Sequence, residues 1–338
     1  MGYLGNKVTE IGGKVITKLS TQKSDIQSSY RDVPTEDLKI VIRDRAMSAE
    51  KMETAQKIVK ILSMILVYAF LGFMAIVVLL PFYWMLITSL KTTEEIRATT
   101  QTFWPQTVMW SNYANALKPE TFDFVTYLIN TLVVGLVSTI GTLITTIFAA
   151  FAFARLEFKG KDVLFAILLA TMMIPGEMMV ITNYITVANL GWLNDTLWGA
   201  YLSMIVPFMV SVLYIYLLRQ NFKQIPNELY LAAKVDGKSD WTYLWKVMVP
   251  LSSPTLISVF ILKLMGSWNS YVWPNLVADK EEYRLITNGL RASFSVDGVP
   301  QYGLQMAATV VVTVPLLLLF IFFRKYIMKG VGRAGIKG

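Results

Sequence analysis

Ile225-Pro226-Asn227-Glu228-Leu229-Tyr230-Leu231-Ala232-Ala233-Lys234-Val235-Asp236-Gly237 is a short polar element set between two strongly apolar runs. Pro226 and Asn227 open a helix in which Leu229, Ala232 and Ala233 fall at i, i+3 and i+4 on one face. Asp236-Gly237 ends it, because glycine suits the left-handed position that follows a helix. Ser239-Asp240 then caps a second helix, predicted over Trp241 to about Val249 and stopped by Pro250. Two adjacent alanines permit close approach by a partner's cleft. A hairpin that merely closes its own bundle is the plainer alternative.

The flanks read as membrane. Hydrophobic residues make up 54% of the 338 and charged residues only 16%, with a mean hydropathy of +0.50. A soluble domain carries about a quarter charged residues. Six apolar blocks stand out, near Ile61–Leu90, Tyr127–Ala154, Val163–Val187, Leu197–Leu218, Thr255–Leu276 and Met306–Phe323. Each approaches the roughly 20 residues a helix needs to cross about 30 Å of hydrocarbon. Backbone groups in lipid must bond internally, so the blocks are predicted as helices. Pro175-Gly176 interrupts the third, a break that neighbouring helices or a wet cavity must satisfy. The expected fold class is an all-α polytopic membrane protein: six transmembrane helices with a helix-turn-helix between spans four and five.

Charge orients this bundle. Segments 1–60, 155–162, 219–250 and 324–338 hold 24 Lys and Arg, whereas 91–123, 188–196 and 277–303 hold 6. The positive-inside rule therefore puts both termini and the 219–250 loop in the cytoplasm. Residues 1–57 read as a polar cytoplasmic extension, and residues 58–338 as the membrane domain. The outer connections 91–123 and 277–303 are long enough to receive a delivered ligand or an external protein. Trp192, Trp198 and Trp273 are expected at the membrane interface.

Residue types narrow the chemistry. With 0 Cys and 0 His, the chain lacks thiolates, disulfides and the commonest general base and metal ligand. Only Lys263 among the cations and Glu177 among the acids lie inside an apolar block. Intramembrane charge is costly and marks a pathway or a partner. Lys263 either snorkels or lines a polar cavity; Glu177 either bonds the broken backbone or lines that cavity with it. Trp268-Asn269 is a further candidate for cavity lining. Ala232 to Ser239 ends in Gly-Lys-Ser and fits a relaxed nucleotide-binding pattern. A phosphate loop needs a preceding strand and a glycine-rich turn, and here a helix is expected to precede it.

At this point the chain resembles a known family. Residues 225–237 look like the EAA motif of binding-protein-dependent ABC importer permeases, specifically the carbohydrate permeases of the maltose-permease type. The resemblance runs from about Pro81 to Gly338. It includes Pro81-Phe82-Tyr83-Trp84-Met85, Thr88-Ser89-Leu90-Lys91, Asn130-Thr131 and Phe151-Ala152-Phe153-Ala154-Arg155. Met173-Ile174-Pro175-Gly176, Trp268-Asn269, Lys329-Gly330 and the terminal Lys337-Gly338 continue it in order. It implies a non-catalytic permease subunit of a sugar importer in a prokaryotic inner membrane. A second homologous permease, an extracytoplasmic binding protein and two cytosolic ATPase subunits would complete the machine. This chain would then hold no cofactor, since ATP and Mg would sit on the ATPase subunits. Carried over by position, Glu228, Ala232, Ala233, Asp236 and Gly237 match the coupling motif. Leu231 departs from it, standing where the family has Glu immediately before the alanines. The substrate would be a saccharide, and Glu177 and Lys263 leave room for an acidic one.

Two other classes stay in view. A polytopic glycosyl or lipid transferase would need a carboxylate cluster, and a self-contained secondary transporter would work from this chain alone. Nothing in the charge pattern calls for nucleic acid; membrane lipid is the expected surrounding.

Overall fold

The computed structural model describes residues 35–194, 196–296 and 299–335. Most of the expected 1–57 extension and the last tail residues, 336–338, lie outside them. The chain divides into two compact units, Met1–Pro81 with Lys337–Gly338, and Phe82–Ile336.

Helix α1 (Thr35–Ser89) carries the first apolar block, and its residues up to Pro81 belong to the first unit. From Ile58 to Leu80 its large apolar side chains are exposed all round. A helix without a polar stripe belongs in lipid rather than against water.

After α1 the second unit continues with the short helices α2 (Thr93–Arg97) and α3 (Ser111–Ala116). Then comes α4 (Phe124–Arg155), started by Asp123, whose carboxylate accepts from the Thr126 N–H at 3.2 Å. Next are α5 (Lys161–Thr171), a tight turn at Gly176–Met179, and α6 (Val180–Asn189). Helix α7 (Leu197–Ile205) runs through a turn at Val206–Phe208 and is followed by α8 (Val212–Gln224). The hairpin comprises α9 (Asn227–Val235) and α10 (Asp240–Tyr243). A widened turn at Leu244–Met248 leads to α11 (Val249–Leu251) and α12 (Ser253–Trp268). After α13 (Val272–Val277) and α14 (Ile286–Ala292), strands β1 (Ser295–Val296) and β2 (Val299–Pro300) pair antiparallel before α15 (Tyr302–Gly335).

Helix α4 is the axis of this unit, packing on α8 and α12, while α12 packs on α15. Its buried face is a run of small residues including Gly135, Ser138, Thr142 and Ala150. Small residues let backbones approach closely where apolar burial alone gives no drive between helices in lipid.

Among the described residues, three stretches are long and apolar enough to cross a membrane: Gln56–Ser89, Phe124–Arg155 and Tyr302–Lys325. Three further pairs meet the same test together but are bent. Lys161–Thr171 meets Gly176–Asn189 at 89°, Leu197–Phe208 meets Val212–Gln224 at 48°, and Asp240–Leu251 meets Ser253–Trp268 at 77°. The first bend falls at the expected Pro175-Gly176 break.

Three expectations are corrected. The fifth block does not run to Leu276: its helix stops at Trp268, where the Asn269 side chain donates to the Met265 carbonyl at 3.0 Å. Side-chain amides that bond backbone in this way compete with the helix. Pro250 does not stop the second hairpin helix either. It lies in the first turn of α11, where a missing N–H costs nothing. Trp273 is no interface anchor, since it is buried and its Nε1 donates to the Ser203 carbonyl at 3.0 Å.

Candidate functional site

Residues 225–251 fold into a closed hairpin. Gly237 takes φ +69°, the left-handed region. Its N–H donates to the Lys234 carbonyl at 3.0 Å and the Lys238 N–H to the Ala233 carbonyl at 2.8 Å. This double bond pattern is the Schellman end, which satisfies carbonyls the helix leaves open. Ser239 Oγ caps the next helix by accepting from the Thr242 N–H at 3.3 Å. Across the turn, Lys234 Nζ lies 2.8 Å from Asp240 Oδ1, and the Tyr230 hydroxyl donates to the same oxygen at 2.7 Å. The Lys234 bond, then the Tyr230 bond, hold the Asp240 carboxyl below its ordinary range. A depressed carboxylate stabilises fully above its unfolded pKa and loses that contribution only as pH falls through the folded value. The turn is therefore closed at neutral pH.

Each face of α9 has a distinct role. Tyr230 and Ala233, three residues apart, pack on a core that includes Phe151, Leu218 and Phe222. Glu228, Leu229, Leu231, Ala232 and Asp236 are exposed, and Val235 is 89% exposed. Of the two alanines only Ala232 faces outward, so the expected shared face of Leu229, Ala232 and Ala233 is divided. The relaxed nucleotide pattern has no use for phosphate, because the Gly237 and Lys238 amides already bond α9. A helix precedes them rather than a strand.

Beneath the hairpin, two arginines cross between helix ends. Arg155, the last residue of α4, donates through Nη2 to the Phe222 and Ile225 carbonyls at 2.9 and 2.5 Å. Arg219 of α8 donates through Nε to the Phe153 carbonyl at 3.1 Å and stacks 3.8 Å from the Phe165 ring centroid. Each cation meets carbonyls at a helix C-terminus, where the backbone partial charge is negative.

A cavity of about 350 Å³ lies among α4, α7, α8, α12 and α13. Its walls include Lys263, Ser138, Ser211, Tyr214, Ser267 and Trp273. Lys263 Nζ is 3.0 Å from the Phe208 carbonyl, at the bend between α7 and α8. Thr142 and Thr145 reach the same bend, donating to the Phe208 and Met209 carbonyls at 3.2 and 2.7 Å. The other three candidates lie apart from these walls. Glu177 is exposed on the turn after Pro175, Asn269 is exposed at the end of α12, and Trp268 is buried in the cluster holding Tyr127, Ile286 and Ala308.

The family model described as "Binding-protein-dependent transport system inner membrane component" matches residues 141–333. The chain belongs to this family. Its members are non-catalytic transport subunits, so the chain is a permease subunit of an ABC importer rather than an enzyme. The inner membrane ABC transporter permease protein YcjP of Escherichia coli (strain K12) is 31% identical over 279 residues, spanning 82% of this permease and 98% of its own length. The trehalose/maltose transport system permease protein MalG of Thermococcus litoralis is 30% identical over 267 residues, spanning 78% and 94%. A solved bacterial ABC transporter involved in the import of the acidic polysaccharide alginate has a chain similar to this one with TM-score 0.68. That match covers 78% of this permease and 95% of the solved chain at 23% identity, and bears on fold alone.

Other polar contacts of the permease were not foreseen. Asn130 donates to the Glu282 and Arg284 carbonyls at 2.8 and 3.1 Å and accepts from the Tyr201 hydroxyl at 2.7 Å. Thr131 Oγ1 accepts from the Ile286 N–H at 2.8 Å. Together they pin the loop carrying Leu285, itself a cavity wall. Lys91, only 1% exposed, bonds the Thr102 carbonyl and lies 4.9 Å from the Trp84 ring centroid. The sequence signal was an Asn-Thr pair inside an apolar block, where a polar side chain needs a partner.

Proposed function

We propose that this permease moves a saccharide by alternating access, driven through the α9–α10 hairpin by cytosolic ATPase subunits. In this reading each of the first two bent pairs is one span and Ser253–Trp268 is the crossing arm of the third, giving six, with both termini and the hairpin in the cytoplasm. Residues 58–338 form the permease domain and 1–57 a cytoplasmic extension. A second homologous permease shares the path, two ATPase subunits bind ATP and Mg, and an extracytoplasmic binding protein delivers the sugar. Relatives named as permeases for arabinooligosaccharides, trehalose/maltose and lactose support a saccharide substrate.

The hairpin carries this reading. Its turn is closed by the Schellman bonds and its base is braced by Arg155, yet Leu229, Leu231 and Val235 remain uncovered. A rigid element whose outer side carries uncovered Leu231 and Val235, one helical turn apart, suits a cleft on another subunit. Glu228, Ala232, Asp236 and Gly237 lie on the exposed side, and Ala233 ties the helix to its own core. ATP closes the ATPase pair, the hairpins move with it, and the spans rock between inward-open and outward-open. The drive is the differing affinity of the ATPase cleft for the two states.

Gly237→Val tests the joint. A Cβ there would meet nothing within 4 Å, so only the left-handed backbone is penalised, by about 1–2 kcal/mol. The complex should assemble and hydrolyse ATP while uptake falls roughly tenfold, and Gly237→Asn should retain most uptake. Undiminished uptake by the valine variant, in a normally assembled complex, would sink the coupling role.

A further inference from the structure

Among the described residues, no acid lines the cavity beside the Lys263 ammonium. We infer that the cavity is a subsite for an acidic saccharide, with the Lys263 ammonium meeting a sugar carboxylate. This inference rests on the permease reading above.

The ammonium has three donors, and the contact with the Phe208 carbonyl at 3.0 Å uses one. That carbonyl also accepts from Thr142, so the helix bend does not depend on Lys263 alone. A cation held among helices without an anion is costly, and a carboxylate on an incoming ligand relieves that cost. The remaining wall chemistry suits a sugar. Ser138, Ser211, Ser267, Ser270 and Tyr214 bring hydroxyls to one space. Ser211 stands at the start of α8, where serine ordinarily caps, yet its side chain makes no capping bond. Phe208 and Trp273, with rings 5.6 Å apart, supply the apolar wall against which a sugar face rests. The volume of about 350 Å³ falls in the roughly 300–1,000 Å³ range of small-molecule sites. The subsite is therefore sized for a short oligosaccharide. A neutral sugar would be served by the hydroxyls; the ammonium adds discrimination for a charged one.

The experiment uses the complete membrane complex, both permeases and both ATPase subunits, in phosphatidylcholine nanodiscs so that no anionic lipid competes. Calorimetric titration compares digalacturonate with galactobiose, its neutral counterpart. Wild type should bind digalacturonate roughly ten- to a hundredfold more tightly, as a charge-assisted hydrogen bond gives, and the advantage should shrink with salt. Lys263→Gln should abolish the advantage, while Lys263→Arg should keep it. Glutamine retains an N–H for the Phe208 carbonyl, so a merely structural lysine would leave the preference intact in that variant. Wild type that prefers galactobiose, binds both equally or binds neither overturns the inference, as does a Lys263→Gln complex that keeps its preference. Should the glutamine variant fail to assemble, the wild-type comparison decides alone. Co-purification of the ATPase subunits and second permease is scored in the same sample; their absence would count against the permease reading instead.

Discussion

Leu231 turns an apolar side chain to solvent on α9 and is 56% exposed. The resemblance to the EAA motif implies Glu at this position, and Glu228 stands one helical turn earlier, three residues along the same side. An exposed leucine contributes little burial to its own fold. Exchanging it should not disturb folding, because surface changes away from packed features are usually within about 0.5 kcal/mol. If the docking cleft is basic, Glu228 is the exposed acid one helical turn from Leu231 on the same side of α9. Glu228→Gln should then reduce substrate-stimulated ATP hydrolysis by roughly two- to fivefold, the scale of an exposed ion pair. Adding Leu231→Glu should restore it. Wild-type stimulation in the single variant would show that the acid at position 228 takes no part.

At the scale of elements, the crossed arginines make the ends of α4 and α8 one piece. Arg155 serves carbonyls at the end of α8, and Arg219 serves one at the end of α4. Arg219→Met removes a buried donor and a cation stacked on Phe165. The stranded Phe153 carbonyl should cost about 1–3 kcal/mol, visible as a lower thermal midpoint of the purified complex. Leu213→Ala, on the exposed side of α8, is the control and should leave the midpoint close to wild type. Equal midpoints for all three proteins would mean that the latch contributes nothing. The hairpin was legible beforehand because its signals are local: Gly237 at a helix end, Ser239 at the next start. The latch was not, since a helix-end arginine can serve carbonyls of its own helix or of a neighbour, and only packing chooses. Likewise Pro250 reads as a stop until the widened turn before it places the proline in a first helical turn. Nor does hydropathy mark the helix end at Trp268, because Val272–Val277 is apolar too and an averaged run spans both.

For the whole molecule, the apolar blocks announced the membrane, but a block's length does not say whether a bent pair crosses. The cavity was half legible: Lys263 stood out as a cation in an apolar block, whereas Trp268 carried no sign of which way it faces. Parity settles the crossings, and a chain with 0 Cys can be labelled at single introduced cysteines without prior removal. Glu157, Asn194, Lys238 and Asp279 are exposed and separate the three bent pairs. With six spans, Asn194→Cys and Asp279→Cys should react with a membrane-impermeant maleimide in intact cells. Glu157→Cys and Lys238→Cys should react only after permeabilisation. Any pair that dips in and returns reverses every site after it. If Lys161–Thr171 with Gly176–Asn189 fails to cross, Asn194 and all later sites change sides together. If Leu197–Phe208 with Val212–Gln224 fails, Asn194 keeps its side and the change begins at Lys238. If only Asp279 is reversed, the pair bent at 77° is the one that does not cross. Reactivity of Lys238→Cys from outside intact cells would remove the hairpin from the cytoplasm, and with it the ATPase contact on which coupling depends.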